Sequence, residues 1–231
     1  RIVRICKTNT WTCANPAISI LSPNDPNSGI TASGYGTYTL TWTEDNNGCT
    51  DADQVDITFI DMPTANAGVD DSICGLSYTL SANAGTGTWS STSPGVSFAN
   101  PNDPNTQVTV SGYGAVTFTW TLDNGGGCST DDDVEITFFE TPTANAGADD
   151  AVCGTYYVLN ATASVGTGTW TSSDPSAVFD NPNDPNSGVT VGSAGTTATF
   201  TWTEINGPCS DSDSADITFN APPTTGAILH Y

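Results

Sequence analysis

The chain contains almost no positive charge. Only three of its 231 residues are Lys or Arg, all within the first seven positions, whereas 25 are Asp or Glu, and the formal net charge is −22. Nucleic-acid-binding proteins need cations to neutralise phosphates, and an anionic membrane surface repels an acidic chain. The composition therefore excludes nucleic acid as a partner. A net charge of this size is typical of extracellular proteins that charge repulsion keeps soluble.

Long apolar runs and helical periodicity are missing as well. No stretch of 18 apolar residues occurs, so we predict no membrane span. The basic and apolar regions of a signal peptide do not occur together, and we expect such a peptide to be absent or already removed. No window repeats its apolar residues with the period of a helix, which leaves strands as the regular structure.

Residues that catalyse reactions are scarce. His230 is the only His, and the sequence contains no nucleophile elbow, no Cys/His pair and no phosphate loop. Carboxylates do occur in pairs, but they fall in polar segments, whereas the acid of a glycosidase needs an apolar pocket. We therefore predict that the protein is not an enzyme and has no catalytic residue.

What the chain does contain is a repeat. The hexapeptide NPNDPN stands at 100–105 and at 181–186, and SPNDPN stands at 22–27. Tryptophans keep the same spacing, and a period near 80 residues predicts a tandem array. We divide the chain into repeat 1 (1–62), repeat 2 (63–141), repeat 3 (142–222) and a final segment (223–231).

Each repeat predicts a small all-β sandwich. In repeat 2, residues 115–122 and 133–139 each alternate apolar and polar side chains, as half-buried strands do. Their apolar faces are Val116, Phe118, Trp120 and Leu122, and Val134, Ile136 and Phe138. Thr fills many outward positions, which strands favour. We predict Greek-key β-sandwiches with all six Trp in their cores.

The hexapeptide itself is hostile to helices. Proline fixes φ and lacks an N–H donor, while Asn and Asp bond their own backbone in turns. We interpret it as a rigid double turn that carries the chain from one sheet to the other. The alternative is a cation or ligand loop that uses Asp25, Asp103 and Asp184.

The order of the motifs resembles a known family. PTANAG, at 63–68 and 142–147, is followed by DD and CG; GTGTW, a TWT strand, a further Cys and a closing ITF come after it. This order resembles the PKD and immunoglobulin-like repeats of large secreted cell-surface adhesins of Bacteroidota, including gliding-motility adhesins. The resemblance covers nearly the whole chain, except RIVRICK at 1–7. It implies tandem Ig/PKD-like domains, a surface stalk or fibre, often type nine secretion, and no enzymatic activity.

The two ends are out of phase with the repeat. Alignment of the tryptophans places Arg1 inside a second strand, so repeat 1 lacks its first strand, whereas Pro223 corresponds to Pro142 and begins a further unit. One explanation is a window from a longer array. The other is donor-strand assembly, in which the final segment completes repeat 1 of the next subunit, head to tail. The donated residues would be Ile228, Leu229 and Tyr231.

Seven cysteines suggest disulfides and an oxidising compartment. The favoured pairs lie within repeats, Cys74 with Cys128 and Cys153 with Cys209. In a regular Greek key, however, these positions fall at opposite ends of the sandwich, too far apart to bridge. The alternative pairs Cys74 with Cys209 across the repeat junction. Cys49 has lost its repeat partner, which Cys6 or Cys13 could replace, and the odd number leaves one thiol free or intermolecular.

Acidic residues recur after the third Cys position of each repeat. Calcium takes six to eight oxygen ligands, and a solvated acidic loop that guards an edge strand is the alternative. The candidate calcium ligands are Asp51, Asp53, Asp131, Asp132, Asp211 and Asp213. We expect no other cofactor. Asp-Ser-apolar sequences resemble the Bacteroidota O-glycosylation sequon and make Ser72 and Ser214 candidate glycosylation sites.

The sequence thus predicts a structural protein of the cell surface, a stalk or filament subunit in adhesion. Its expected partners are a neighbouring copy or repeat, head to tail, and a surface glycan or protein ligand. The alternative function is a calcium- or carbohydrate-binding adhesin module.

Overall fold

The computed structural model describes residues 7–224, and these form strands without a helix. Repeat 1 contains β1 (Lys7–Cys13), β2 (Ile18–Ile20), β3 (Ile30–Ala32), β4 (Gly36–Asn46) and β5 (Cys49–Phe59). Repeat 2 contains β6 (Asp71–Cys74), β7 (Ser77–Thr79), β8 (Gly87–Ser90), β9 (Ser97–Phe98), β10 (Gln107–Thr109), β11 (Gly114–Asp123) and β12 (Ser129–Phe139). Repeat 3 contains β13 (Asp150–Cys153), β14 (Tyr156–Val158), β15 (Thr167–Ser172), β16 (Val178–Phe179), β17 (Gly188–Thr190), β18 (Thr196–Asn206) and β19 (Cys209–Asn220). In this part of the chain, no helix is long and apolar enough to cross a membrane.

Repeats 2 and 3 have the same topology. One sheet has the order β6-β12-β11-β8 in repeat 2 and β13-β19-β18-β15 in repeat 3; the other has the order β7-β10-β9 and β14-β17-β16. The first strand runs parallel to the last one, and the other pairs are antiparallel. The predicted all-β tandem sandwich fold is confirmed.

The alternating strands form the cores as expected. Phe118, Trp120 and Ile136 are fully buried in repeat 2, as are their counterparts in repeat 3. Repeats 2 and 3 each have a core cluster of their own, formed by residues between 67 and 138 in repeat 2 and between 146 and 219 in repeat 3. Gly168 lies against the Trp202 indole so closely that an added Cβ would overlap the ring. The sequence TGTW thus leaves room for the facing tryptophan.

The hexapeptide is a double turn, but it does not cross between sheets. The N–H of Asp103 donates to Asn100 O at 3.1 Å and the N–H of Thr106 donates to Asp103 O at 3.2 Å, which closes two turns. The strands on either side, β9 and β10, are antiparallel neighbours in one sheet. The predicted crossing was wrong, because the Pro-rich segment reverses the chain within the sheet.

What the hexapeptide does is hold the tryptophan strand of the opposite sheet. The N–H of Trp170 donates to Pro182 O at 2.7 Å, and Asn183 Nδ2 donates to Gly168 O at 3.0 Å and to Thr169 Oγ1 at 2.8 Å. The same contacts recur in repeat 2. Asp184 accepts from the Asn186 N–H at 2.9 Å, as Asp25 and Asp103 do from the residue two positions on. These carboxylates therefore close local turns.

Repeat 1 is an incomplete version of this sandwich. Its main sheet has the order β1-β4-β5, and its second sheet is only the hairpin β2-β3. Strands equivalent to β6 and β7 are missing from the described residues. Trp11 and Trp42 pack at 5.1 Å between ring centroids but remain only half-buried. The prediction of six core tryptophans was wrong for these two, because no strand between residues 7 and 224 covers them.

Candidate functional site

The recurring aspartates lie on strands and not on loops. Asp132 belongs to β12 and Asp213 to β19, near the start of each strand. The segment that precedes β6 or β13 runs beside them without forming a strand. Its backbone N–H groups therefore have no ladder partner, and side chains on the last strand must accept their hydrogen bonds.

Carboxylates of the last strand supply those acceptors. In repeat 3, Asp211 Oδ2 accepts from the Ala144 N–H at 2.9 Å and Asp213 Oδ2 from the Ala146 N–H at 2.9 Å. In repeat 2, Asp132 Oδ2 accepts from the Ala67 N–H at 2.8 Å, while Thr130 Oγ1 takes the position of Asp211. We call this pair of acceptors the segment grip. It fixes the first segment of a repeat on its last strand.

The same two positions of repeat 1 also carry aspartates, and no first segment lies against them among residues 7–224. Asp51 and Asp53 occupy the positions of Asp211 and Asp213 in the register of the last two strands. Among the described residues, these two carboxylates accept hydrogen bonds only from the N–H groups of the next residues, Ala52 and Gln54. The Oδ2 atom of each of these aspartates is therefore available to a donor.

An apolar face lies open beside this grip. Val55 is 41% exposed and Ile57 36%, whereas their equivalents in repeat 2, Val134 and Ile136, are 2% and 0% exposed. Covering such surface contributes on the order of 1 kcal/mol for each side chain. The face includes a groove of about 190 Å³. Its lining residues are Trp11, Pro26, Trp42, Asp53, Gln54 and Val55.

The repeat junctions form a second recurring device. At the junction of repeats 2 and 3, the β18–β19 turn contacts the end of repeat 2, where Asn206 Nδ2 donates to Glu140 O at 2.8 Å. Cys209 is bonded there to Cys74, with the two Cα atoms 5.5 Å apart. At the junction of repeats 1 and 2, Asn124 Nδ2 donates to Asp61 O at 3.0 Å. Each turn thus packs on the repeat before it.

The favoured pairing of cysteines within repeats was wrong, because Cys74 of repeat 2 is bonded to Cys209 of repeat 3. Cys74 ends β6 beside Phe139, whereas Cys128 lies at the opposite end of the same sheet, in the turn before β12. Cys128 and Cys153 are consequently free thiols, as are Cys13 and Cys49. Cys13 pairs with Leu40 while Cys49 pairs with Asn46, six positions along β4. At about 3.3 Å per residue, that separation excludes a Cys13–Cys49 bond.

The remaining predicted residues are the calcium ligands, the glycosylation sites and the donor residues. Between residues 7 and 224, no group of three or more His, Cys, Asp or Glu side chains is arranged to hold a metal ion. Ser72 lies on β6 and Ser214 on β19, both exposed. Asp131 is exposed on β12. Cys6 and the predicted donor residues Ile228, Leu229 and Tyr231 lie outside the described residues.

No family model matches the chain, and no curated protein sequence matches it significantly. Among solved structures, the I-band fragment I67–I69 from titin superposes with a TM-score of 0.54 at 10% identity, covering 93% of this chain and 88% of that one. A Glu-to-Ala variant of these three Ig domains gives the same values. The fold is that of tandem immunoglobulin-like domains. Domains 3–5 of Drosophila OTK follow with a TM-score of 0.49 at 10% identity, covering 94% of this chain and 86% of that one. At 10% identity these similarities show the fold alone.

Proposed function

We propose that the protein is a non-enzymatic structural protein of the cell surface, a stalk or filament subunit in adhesion. In this proposal its copies join head to tail by donor-strand complementation. The observation that carries it is the open apolar face on repeat 1, which lies beside Asp51 and Asp53 of the segment grip. The same chain carries a first-segment motif at 223–231. A head-to-tail contact of this kind uses two different surfaces and continues into a filament.

The repeat equivalence specifies how the donor would bind. Pro223 corresponds to Pro142, so Thr225 and Ala227 correspond to Ala144 and Ala146, whose N–H groups bond the grip in repeat 3. In the acceptor copy, Asp51 and Asp53 take those N–H groups. Main-chain hydrogen bonds then supply affinity and the apolar groove supplies specificity. The apolar side chains that cover the groove are Ile228, Leu229 and Tyr231.

Two further observations support a place at the cell surface. The resemblance to repeats of secreted Bacteroidota adhesins points to the cell surface and to type nine secretion. The Cys74–Cys209 disulfide suits an oxidising compartment. The titin fragment, a series of three Ig domains, offers the analogy of domains joined in a row. A row of small domains extends a distal function away from the surface, because each domain contacts mainly its neighbours.

Electron microscopy of the purified full chain tests this proposal. We expect filaments with an axial repeat of three domains. The acceptor variant Val55→Asp/Ile57→Asp and the donor variant Ile228→Asp/Leu229→Asp should each abolish them, because a buried charge in the groove is costly. The matched control is Val178→Asp, which alters a side chain that is 67% exposed and lies in repeat 3. Short rods in every sample, or filaments in either variant, would refute donor-strand assembly.

The alternative is a calcium- or carbohydrate-binding adhesin module, for which the same groove offers one observation. Two half-buried indoles, Trp11 and Trp42, adjoin the polar side chains of Asp53 and Gln54, a combination found in ligand sites. Titration with surface oligosaccharides, followed by Trp fluorescence, should then saturate and be lost in Trp11→Ala. A calcium module should lose thermal stability on chelation and regain it with added calcium.

A further inference from the structure

The contact between consecutive repeats has a fixed pattern. In the turn between the last two strands, an Asn donates to a carbonyl at the end of the preceding repeat, and a Cys follows. Cys209 Sγ lies 3.9 Å from Phe139 O, and Cys128 Sγ lies 3.9 Å from Ile60 O. The two junctions are therefore alike in geometry. They differ in their disulfides: at the second junction, Cys74 at the end of the first strand of repeat 2 is bonded to Cys209, whereas Cys128 at the first junction is a free thiol.

Repeat 1 presents the same turn with nothing packed on it in the described residues. Asn46 pairs with Cys49 just as Asn206 pairs with Cys209. The first turn residue has the same left-handed backbone in both turns, since Asn47 has φ 56° where Gly207 has φ 58°. Both Asn46 and Cys49 are exposed, and Cys49 is a free thiol. The turn between β4 and β5 therefore exposes the residues that form the turn side of a repeat junction.

Repeat 3 presents the complementary half. Cys153 ends β13 opposite Asn220, in the register that places Cys74 of β6 opposite Phe139. Cys74 is bonded to the turn of the next repeat, whereas Cys153 is an exposed free thiol. The carbonyl of Ala221 stands in the position of Glu140 O, which accepts from the Asn of the following turn.

We propose that Cys153 of one copy forms a disulfide with Cys49 of a second copy, stacked as repeat 3 is stacked on repeat 2. The partner is a second copy because the chain contains both halves of a junction that it already forms internally. This inference rests on the head-to-tail assembly proposed above. In that assembly, the copy that receives the donated segment takes the place of a fourth repeat, and its Cys49 then faces Cys153.

The bond forms by thiol–disulfide exchange with a small disulfide oxidant. The thiolate of one cysteine attacks the oxidant, releases one of its thiols and forms a mixed disulfide. The thiolate of the second cysteine then attacks the protein sulfur and releases the other thiol. Two protein thiols thus lose two protons and two electrons, and the oxidant is reduced to two thiols. Oxidised glutathione is a suitable oxidant.

The test uses the full chain with oxidised glutathione at about 0.15 M salt, where the Debye length of about 8 Å screens the repulsion between acidic copies. Non-reducing electrophoresis should show a ladder of dimers and higher multimers, and mass spectrometry should identify a Cys49–Cys153 peptide. Cys49→Ser and Cys153→Ser should each remove the ladder. Cys128→Ser, which alters an equivalent turn cysteine at the internal junction, should keep it.

Mixing the two variants sharpens the test. Cys49→Ser retains Cys153 and Cys153→Ser retains Cys49, so the mixture should stop at dimers. A Cys49–Cys49 bond, an internal Cys6–Cys49 bond or a ladder that persists in either variant would overturn the proposal. If filaments form but no Cys49–Cys153 peptide is found, the disulfide fails while the proposed function stands. If neither filaments nor crosslinks form, both fail.

Discussion

At the scale of single residues, the aspartates show how position changes a role. In the sequence, an acidic cluster beside a Cys predicts either a calcium-binding loop or a solvated loop. The strand register instead turns Asp132 and Asp213 towards the first segment of their repeats, where they accept backbone hydrogen bonds. Metal-ligand chemistry and backbone acceptance both use the same oxygens. A carboxylate bound to an N–H group therefore offers less to a cation.

Removing such an acceptor should destabilise its own repeat. In Asp213→Ala, the partly buried Ala146 N–H loses its partner, and an unsatisfied buried donor costs about 1–3 kcal/mol. Urea unfolding should show this decrease in the free energy of unfolding. The matched control is Ser212→Ala, an exposed side chain on the same strand, for which the decrease should be within about 0.5 kcal/mol. Equal effects would contradict the segment grip.

Glu204 makes the stability of repeat 3 depend on pH. Its side chain is 1% exposed. Burial raises its pKa, but hydrogen bonds from Ser164 and the Trp202 indole outweigh burial and hold the pKa below the ordinary 4.5. A lowered folded pKa contributes stability above the unfolded pKa, which is lost as the pH falls through the folded value.

We therefore expect the difference in unfolding free energy between wild type and Glu204→Gln to shrink as the pH falls below 4.5. Urea unfolding from pH 7 to pH 3 measures it. Glu135→Gln removes an exposed carboxylate and controls for net charge. A difference that stays constant over this range would contradict a folded-state shift at Glu204.

At the scale of elements, the hexapeptide acts as a clamp between sheets. Its prolines and Asx turns fix a short loop, and that rigid loop presents carbonyl and amide groups to the Trp strand. Asn183 joins Gly168 and Thr169 of β15, and Asn102 makes the matching contacts with β8 in repeat 2. The recurrence of the sequence thus reflects a recurrent contact with the tryptophan strand.

Asn183→Ala should loosen this clamp. It removes two hydrogen bonds, each worth about 0.5–1.5 kcal/mol, so repeat 3 should lose roughly 1–3 kcal/mol. Thermal and urea unfolding measure the loss. Asn186→Ala, in the same hexapeptide, alters an exposed side chain and should change little. If both variants behave alike, the hexapeptide is only a turn.

At the scale of the whole molecule, the Cys74–Cys209 bond couples repeats 2 and 3. It spans 135 residues, and constraint of so long a loop in the unfolded chain is worth about 5 kcal/mol by the entropic estimate. Cys74→Ser/Cys209→Ser should therefore lower the unfolding temperature and separate the transitions of the two repeats. Calorimetry of this variant beside Cys128→Ser, which removes a thiol that forms no disulfide, measures the effect. An unchanged thermogram would contradict the coupling.

The amino-acid sequence by itself determined the features that depend on local order. The period near 80, the alternating strands, the double turn and the core of repeats 2 and 3 were all predicted from it, because periodicity and turn chemistry act over a few residues.

Only the tertiary structure decided which distant residues meet. Parallel pairing of β6 with β12 puts Cys74 at the end of the sheet opposite Cys128, and this position makes the disulfide cross the junction. The register of β12 and β19 places Asp132, Asp211 and Asp213, which were predicted as calcium ligands, where they accept hydrogen bonds from the first segment of each repeat. Burial of Trp11 and Trp42 likewise depends on covering strands, which the described residues of repeat 1 do not supply. These outcomes depend on strand direction and neighbours in space, which a linear pattern does not encode.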